Sequence, residues 1–462
     1  MANSVKYIKA AGVHARFDLE QSFQPGVNIL YGRNGTGKTT LLHILANILN
    51  GDFERFAFIP FETIEVHLDD GQKIKLYNYM HAEGNKIVAH INKREVANFS
   101  VTEAREKLGQ GPPGIRSERQ SYLRASPDPI LPTAYFPAFR TLIEASGDED
   151  SLESYVIRPE SYTVRSVRRT QDRQMINSSV FARRFFGDFV PWINYPSPID
   201  VSRRLVTEMQ QALNFVANTD RQLLSKAFLE IFATLSSENN PTQEQPESIL
   251  EKINSLFSRL ESSSIISDPS AGEEVYSKLQ ALVNSFRVRA GSEEVYVPIL
   301  EVYKRALEER TDIQEKAFKP LKKYLDSVNR FLEGKNLALR KTSAQGIPIV
   351  QVKFHETELY SPIGVLSSGE RQIVTLIYAA THMSNQQVVL VDEPEISLNI
   401  DWQSSLIPEM VAQLEDRQII TCTHSPVIGA DYEDQMAELE AVPTNKKQNS
   451  AEDGIEEIEE SL

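Results

Sequence analysis

The chain has 462 residues, 41% of them hydrophobic, and a formal net charge of −15, so it can bury a substantial core and divide into two or three domains. No apolar run approaches the roughly 18 to 20 residues of a membrane helix and no basic-then-apolar leader opens the chain, which argues against a membrane partner and points to the cytoplasm. The single cysteine, Cys422, excludes an intramolecular disulfide and cannot make a zinc site alone, and it reads as a small buried residue.

The first 31 residues read as short strands, Val5 to Ala10, Val13 to Leu19 and Val27 to Tyr31, the last entering a glycine-rich loop. That loop, Gly32-Arg33-Asn34-Gly35-Thr36-Gly37-Lys38-Thr39, followed by Thr40, matches the phosphate-loop pattern and precedes a helix predicted from Lys38 to about Leu49. Glycines let backbone amides turn onto phosphate oxygens, and the helix N-terminus adds its dipole. Lys38 would neutralise the β- and γ-phosphates of ATP, and Thr39 would ligate Mg²⁺. Alternation over Thr63 to Leu68, Lys73 to Tyr77 and Ile87 to Ile91 predicts an antiparallel lobe, turning at Asp69 to Gln72.

From about 150 to 335 the spacing becomes helical. One stripe runs Leu205, Met209, Leu213, Val216, Leu223, Ala227 and Ile231, and a second runs Ile299, Tyr303, Ala306, Ile313, Ala317, Leu321, Tyr324, Val328 and Phe331. Both a compact helical domain and a projecting antiparallel helix pair fit, since Asp220, Arg310 and Pro320 interrupt a clean heptad seam. Within this region Arg158 to Arg204 holds nine arginines against four carboxylates. Arg165, Arg168, Arg169, Arg183 and Arg184 could form a surface for a partner or trigger, or could be paired to acids inside the domain.

After about 347 the alternation of strand and helix returns: strands at Pro348 to Phe354, Val388 to Val391 and Gln418 to Cys422, with helices from Gly369 to about Met383 and from Asp401 to about Glu415. This implies a parallel sheet covered on both faces. The apolar strand Val388 to Val391 ends in Asp392 and Glu393, placing two acids at the sheet edge where ligands bind. Asp392 would hold Mg²⁺ and Glu393 would orient the attacking water. From Asp431 to Leu462 eleven acids face two lysines. This tail, expected to be solvated and disordered, supplies −9 of the −15.

Leu366-Ser367-Ser368-Gly369-Glu370-Arg371-Gln372 resembles the LSGGQ signature of ABC ATPases, in the LSSGE form of the SMC, RecF and OLD-like branch. A serine there can also be a helix N-cap. The resemblance implies an α/β ABC-type head, a mixed sheet with a phosphate-loop core plus an antiparallel β lobe, interrupted by a large α-helical insertion. It divides the chain into 1–145, 150–335, 347–430 and the tail 431–462. It implies ATP and Mg²⁺ as ligands and a homodimer at minimum, in which Ser367, Ser368, Gly369 and Glu370 reach the γ-phosphate held by the partner chain. His424, in Thr423-His424-Ser425-Pro426, resembles the switch histidine that contacts the γ-phosphate and Glu393. Pro394 to Asn399 resembles the D-loop, with Ser397 and Asn399 at the dimer interface, although Asn399 stands where many members carry aspartate or histidine. No Q-loop glutamine is evident. Arg140, in Tyr135-Phe136-Pro137-Ala138-Phe139-Arg140, is the candidate substitute contact for phosphate or water.

More than 300 residues separate phosphate loop and signature, which suits the SMC, RecF and OLD-like branch better than transporter subunits. Only 38 residues follow His424, too few for the Toprim nuclease domain of OLD proteins. The pattern is most similar to the ATPase of the PARIS antiphage systems, with Septu and retron-associated ATPases next. That resemblance implies a toxin-antitoxin-like sensor that holds a separate nuclease effector, of Toprim type, and answers a phage-encoded trigger such as an acidic DNA mimic. The alternative is a RecF- or SMC-like maintenance ATPase that closes on duplex DNA.

Overall fold

The computed structural model describes residues 3–80, 84–109, 129–140, 178–193, 195–236, 245–263, 281, 293–341, 348–357, 359–381 and 384–444. Arg165, Arg168, Arg169 and the tail beyond 444 lie outside the described residues. The chain divides into two compact units, one formed by Met1–Ser197 with Thr375–Leu462 and the other by Pro198–Val374.

The first unit holds two sheets. Strands β1 (Val5–Val13), β2 (Phe17–Ser22), β4 (Thr63–Leu68), β5 (Lys73–Tyr79), β6 (Lys86–Ile91), β7 (Arg94–Ser100) and β15 (Val442–Pro443) form an antiparallel sheet in the order β15-β2-β1-β4-β5-β6-β7. Strands β3 (Val27–Tyr31), β8 (Thr133–Phe136), β12 (Val388–Asp392), β13 (Gln418–Cys422) and β14 (Met436–Glu438) form a parallel sheet in the order β14-β3-β13-β12-β8. Every residue of β12 and β13 is buried, as two-sided coverage of a parallel sheet demands, whereas β4 alternates, as a sheet with one wet face does. Helix α1 (Lys38–Leu49) joins the sheets through one core, in which Leu41 and Leu45 meet Ile8, Leu19 and Ile64 from one sheet and Leu390 and Ile420 from the other. Helix α2 (Val101–Gly109) follows β7.

The second unit contains α3 (Pro198–Ser236), α4 (Pro246–Ser263) and α5 (Glu293–Asn329), then a three-stranded antiparallel sheet, β11-β10-β9, of β9 (Lys335–Lys341), β10 (Pro348–Phe354) and β11 (Tyr360–Ser361). Helix α6 (Ser368–Ala380) starts in this unit and ends in the first, where α7 (Ile400–Gln413) also lies. Helices α3 and α5 pair antiparallel, with Arg310 Nε donating to Asp220 Oδ1 at 3.0 Å and Arg305 opposite Glu230. The two charged residues that interrupt the heptad pattern therefore neutralise one another. Burial pushes the Asp220 carboxyl up, against the pull of Arg310.

Three expectations are corrected. The first hairpin turns at His14 and Ala15, both at positive φ, so β1 runs through Val13 instead of breaking near Ala11. Pro348–Phe354 pairs with β9 and β11 rather than joining the parallel sheet. Finally, the acidic segment from Asp431 to Thr444 is not a free tail: Met436–Glu438 extends the parallel sheet beside β3, and Val442–Pro443 caps the antiparallel sheet beside β2. Backbone pairing at the two sheet edges outweighs the acidic composition there.

Candidate nucleotide site

The order β3-β13-β12-β8 brings four strand ends side by side. In chemical terms these deliver the phosphate loop, His424, the acidic pair and Arg140 to the C-terminal edge of one parallel sheet, where open α/β sheets bind ligands.

The loop Gly32 to Gly37 passes directly into α1, with Gly37 left-handed at φ 86°. A Cβ on Gly37 would stand 3.0 Å from the Phe17 ring, so the β1–β2 hairpin and the phosphate loop can pack this closely only with glycine at that point. Thr36 Oγ1 donates to the Arg33 carbonyl at 3.0 Å, closing the loop. Lys38 Nζ lies inside the loop, donating to the carbonyls of Gly32 and Arg33 at 2.9 and 3.1 Å. Burial pulls this amine below its ordinary value, against the acids beside it. A phosphate would meet this ammonium together with the unpaired amides of the first helical turn. Thr40 Oγ1 faces His14 Nε2 at 3.4 Å; the periodicity of β1 and β2 gave no sign that this hairpin tip would reach the helix.

Thr39 Oγ1 donates to Asp392 Oδ2 at 2.9 Å, joining the start of α1 to the end of β12. Asp392 is only 2% exposed. Burial raises its carboxyl to about 6, the Thr39 hydroxyl pulls it down, Glu393 pushes it up, and Arg140 and Lys38 pull it down. A buried hydroxyl and carboxylate sharing a hydrogen bond are an oxygen donor set that fits Mg²⁺, with phosphate and water oxygens completing the shell. Because the folded carboxyl sits above its ordinary value of 3.8, the fold holds the proton more tightly than the unfolded chain does. Its contribution to stability is therefore lost as pH rises from about 4 to about 6, and a cation offsets that loss by replacing the proton. Calorimetric titration of Mg²⁺ into the ATP-loaded protein should show affinity falling about tenfold per pH unit below about 6. Affinity unchanged between pH 5 and 8 would remove Asp392 from the metal site.

Glu393 leaves β12 with φ 48°, a conformation that costs about 1 to 3 kcal/mol for a non-glycine residue. Its amide donates to the Cys422 carbonyl at 2.8 Å, and its Oε1 lies 3.9 Å from His424 Nε2. Both side chains are about one-third exposed, so they face the site rather than the core. Cys422 itself is a free, buried thiol.

Arg140 is placed differently from its expected role. It is 2% exposed and donates from Nη1 to the carbonyls of Pro137 and Asp392, both at 3.0 Å. From Nη2 it donates to those of Glu393, Pro394 and Ile396 at 3.0, 3.4 and 3.5 Å. The planar guanidinium organises the turn that carries Glu393.

The remaining candidates divide as follows. Arg183 is 4% exposed, donates from Nε to the Val190 carbonyl at 3.0 Å and stacks over Trp192, so it is a core residue and not part of a partner surface. Arg184 is exposed. Ser397 is exposed at φ 67°. Asn399 is the N-cap of α7, its Oδ1 accepting from the Trp402 amide at 2.8 Å, so its side chain serves the helix. In the second unit Ser367 and Glu370 form a capping box: Ser367 N donates to Glu370 Oε2 at 2.8 Å, and Glu370 N to Ser367 Oγ at 3.4 Å. Glu370 Oε2 also accepts from Lys335 Nζ at 3.0 Å. Burial pushes this carboxyl up, but the Ser367 amide and Lys335 win and leave it below its ordinary value. Glu370 thus shapes the signature segment. Arg371 donates to the carbonyls of Leu366 and Gly364 and fixes the same turn, which presents Ser368 and Gly369 at the start of α6.

Residues 355–431, which span the signature, the acidic pair and His424, match the family described as "AAA domain, putative AbiEii toxin, Type IV TA system". Over those residues the chain is similar to an AAA-type ATPase domain. No curated protein sequence matches it. Among solved structures, the Smc head domain of Pyrococcus furiosus with an extended coiled coil, bound to the C-terminal domain of ScpA, aligns with TM-score 0.38 and 13% identity over 96% of both chains. The Smc head domain of Pyrococcus yayanosii with a coiled coil and joint gives 0.38 and 14% over 99% of both. An SmcHead bound to the C-winged helix domain of ScpA gives 0.37 and 12% over 95% of this chain and 98% of that one. Among the described residues no helix is long and apolar enough to cross a membrane.

Proposed function

We propose that this chain is the ATP-binding and ATP-hydrolysing subunit of a bacterial antiphage defence system, of ABC type, working as a homodimer at minimum. One observation carries the ATPase reading. Thr39 of the phosphate loop is hydrogen-bonded to Asp392, with Glu393 and His424 facing each other beside them. In this reading Lys38 and the loop amides bind the phosphates, while Thr39 and Asp392 hold Mg²⁺, which neutralises phosphate charge when bound. Glu393 orients a water for attack and accepts its proton. His424 steadies the γ-phosphate end. Ser368 and Gly369 close the site of a second chain, as the signature resemblance suggests.

The defence reading draws on the matching family, whose description names a toxin of a type IV toxin-antitoxin system, and on the sequence resemblance to PARIS-type ATPases. ATP occupancy then sets whether a nuclease effector, of Toprim class, is held or released on arrival of a phage-encoded trigger protein. The test is affinity purification of the chain expressed with its neighbouring genes, beside a Lys38→Ala variant. The expected result is a stoichiometric nuclease partner on the wild-type chain and loss of ATP binding in the variant. No partner, together with salt-dependent duplex binding that strengthens with ATP, would replace this reading by a DNA-maintenance ATPase.

A further inference from the structure

The D-loop-like segment and the histidine loop are joined by a network that the catalytic reading does not use. Glu395 Oε1 accepts from two consecutive amides, His424 N at 2.8 Å and Ser425 N at 3.1 Å. Ser425 Oγ donates to Gln403 Oε1 at 2.8 Å, and Gln403 Nε2 donates to the Leu398 carbonyl at 3.0 Å. The connection thus leaves the loop after β12 at Glu395, crosses to the end of β13, and returns through α7 to the same loop at Leu398. On the other side of Glu393, Arg140 holds the carbonyls of Asp392, Glu393, Pro394 and Ile396.

We propose that Glu395 is a positioning residue that latches the His424 loop to the loop leaving β12, so that displacement of residues 394–399 moves His424 relative to Glu393. The inference rests on the reading of Glu393 and His424 as the reacting pair. Physically, a side-chain oxygen that accepts from two adjacent amides ties both to one point. It restrains the backbone of His424 and leaves the imidazole to face Glu393. The loop holding Glu395 also exposes Ser397, Asn399 and Ile400, so whatever presses on that edge would reach the histidine through Glu395. Among the described residues its second oxygen, Oε2, is buried with no hydrogen-bond partner, so the polar contacts seen for the side chain are those of Oε1.

Two substitutions separate reach from charge. Glu395→Gln keeps an acceptor oxygen at the same distance and removes the charge, while Glu395→Asp keeps the charge and withdraws it by one methylene. If Glu395 positions His424, Gln should retain turnover within about threefold, whereas Asp and Ala should lose roughly 10- to 100-fold in kcat with KM little changed, the cost expected of a misplaced catalytic group. Turnover in which Asp exceeds Gln would overturn the proposal in favour of a purely electrostatic role near Lys38. A thermodynamic cycle gives the second arm: Glu395→Ala should add nothing to His424→Ala, because both act through one imidazole. Fully multiplicative losses would also overturn it. If His424→Ala and Glu393→Gln both turn over like the wild type, it is the underlying catalytic reading that fails, an outcome distinct from either of these.

Discussion

Replacing Glu393 by glutamine should slow ATP hydrolysis by on the order of 10² to 10⁴-fold while leaving ATP binding intact. The two halves of this expectation have separate structural origins. On the proposed reading, binding rests on the loop amides, Lys38, Thr39 and Asp392, none of which is hydrogen-bonded to the Glu393 carboxylate among the described residues. The left-handed backbone at Glu393 is held from behind by Arg140 and by the Cys422 carbonyl, so a near-isosteric amide will sit where the carboxylate sat but cannot accept a proton from water. Steady-state phosphate release and equilibrium binding of a fluorescent ATP analogue measure the two quantities separately. Turnover within a few fold of the wild type would strip Glu393 of the base role.

The second large effect is expected at Arg140. Its guanidinium serves five carbonyls in a site with almost no solvent, and each buried acceptor left without a donor costs about 1 to 3 kcal/mol. Arg140→Ala should therefore lower stability by at least about 3 kcal/mol, roughly 5 to 10 °C in Tm, and abolish turnover as the Asp392–Ile396 segment relaxes. Arg140→Lys should recover part of the stability and little of the turnover, since an ammonium is a point donor and cannot reproduce the planar fork. Calorimetry and ATPase assays of the two variants check this. An alanine variant with wild-type Tm and activity would show that the turn holds its shape unaided.

Much of the parallel core was legible because its signals are local. Continuous apolar strands ending in glycine or acids, as at Val27 to Tyr31 and Val388 to Asp392, carry their own boundaries, and β12 and β13 are buried along their whole length. Strand β7 was not legible, because most of its residues are exposed and show no alternation. In α5 the buried face includes Leu321, Tyr324 and Val328 of the apolar stripe that the sequence suggests, but nearer the start of the helix it runs through Leu300, Leu307, Thr311, Gln314 and Phe318. Two of its members are polar and are satisfied in place: Thr311 Oγ1 donates to the Leu307 carbonyl at 2.7 Å, and Gln314 Nε2 to the Leu260 carbonyl at 3.1 Å. Hydrophobic periodicity cannot see a seam whose polar members find partners.

At the site itself, the residues that would touch nucleotide were readable as motifs, while those that hold the motifs in shape were not. Arg140 and Glu370 look like ligand contacts in a linear sequence, because a charged group beside a motif invites that reading. Only the fold shows Arg140 facing backbone carbonyls and Glu370 facing Ser367 and Lys335. Glu395 and Gln403 gave no signal, since their partners are amides and hydroxyls brought near by the adjacency of β12 and β13.

The central claim, that ATP closes two copies of this chain on one another, is tested most directly by native mass measurement of the Glu393→Gln variant with and without ATP and Mg²⁺. Nucleotide should shift the protein to even-numbered assemblies, two copies at minimum, and adding Lys38→Ala to the same chain should prevent the shift. A Glu393→Gln chain that binds ATP and keeps the mass of one copy would contradict it.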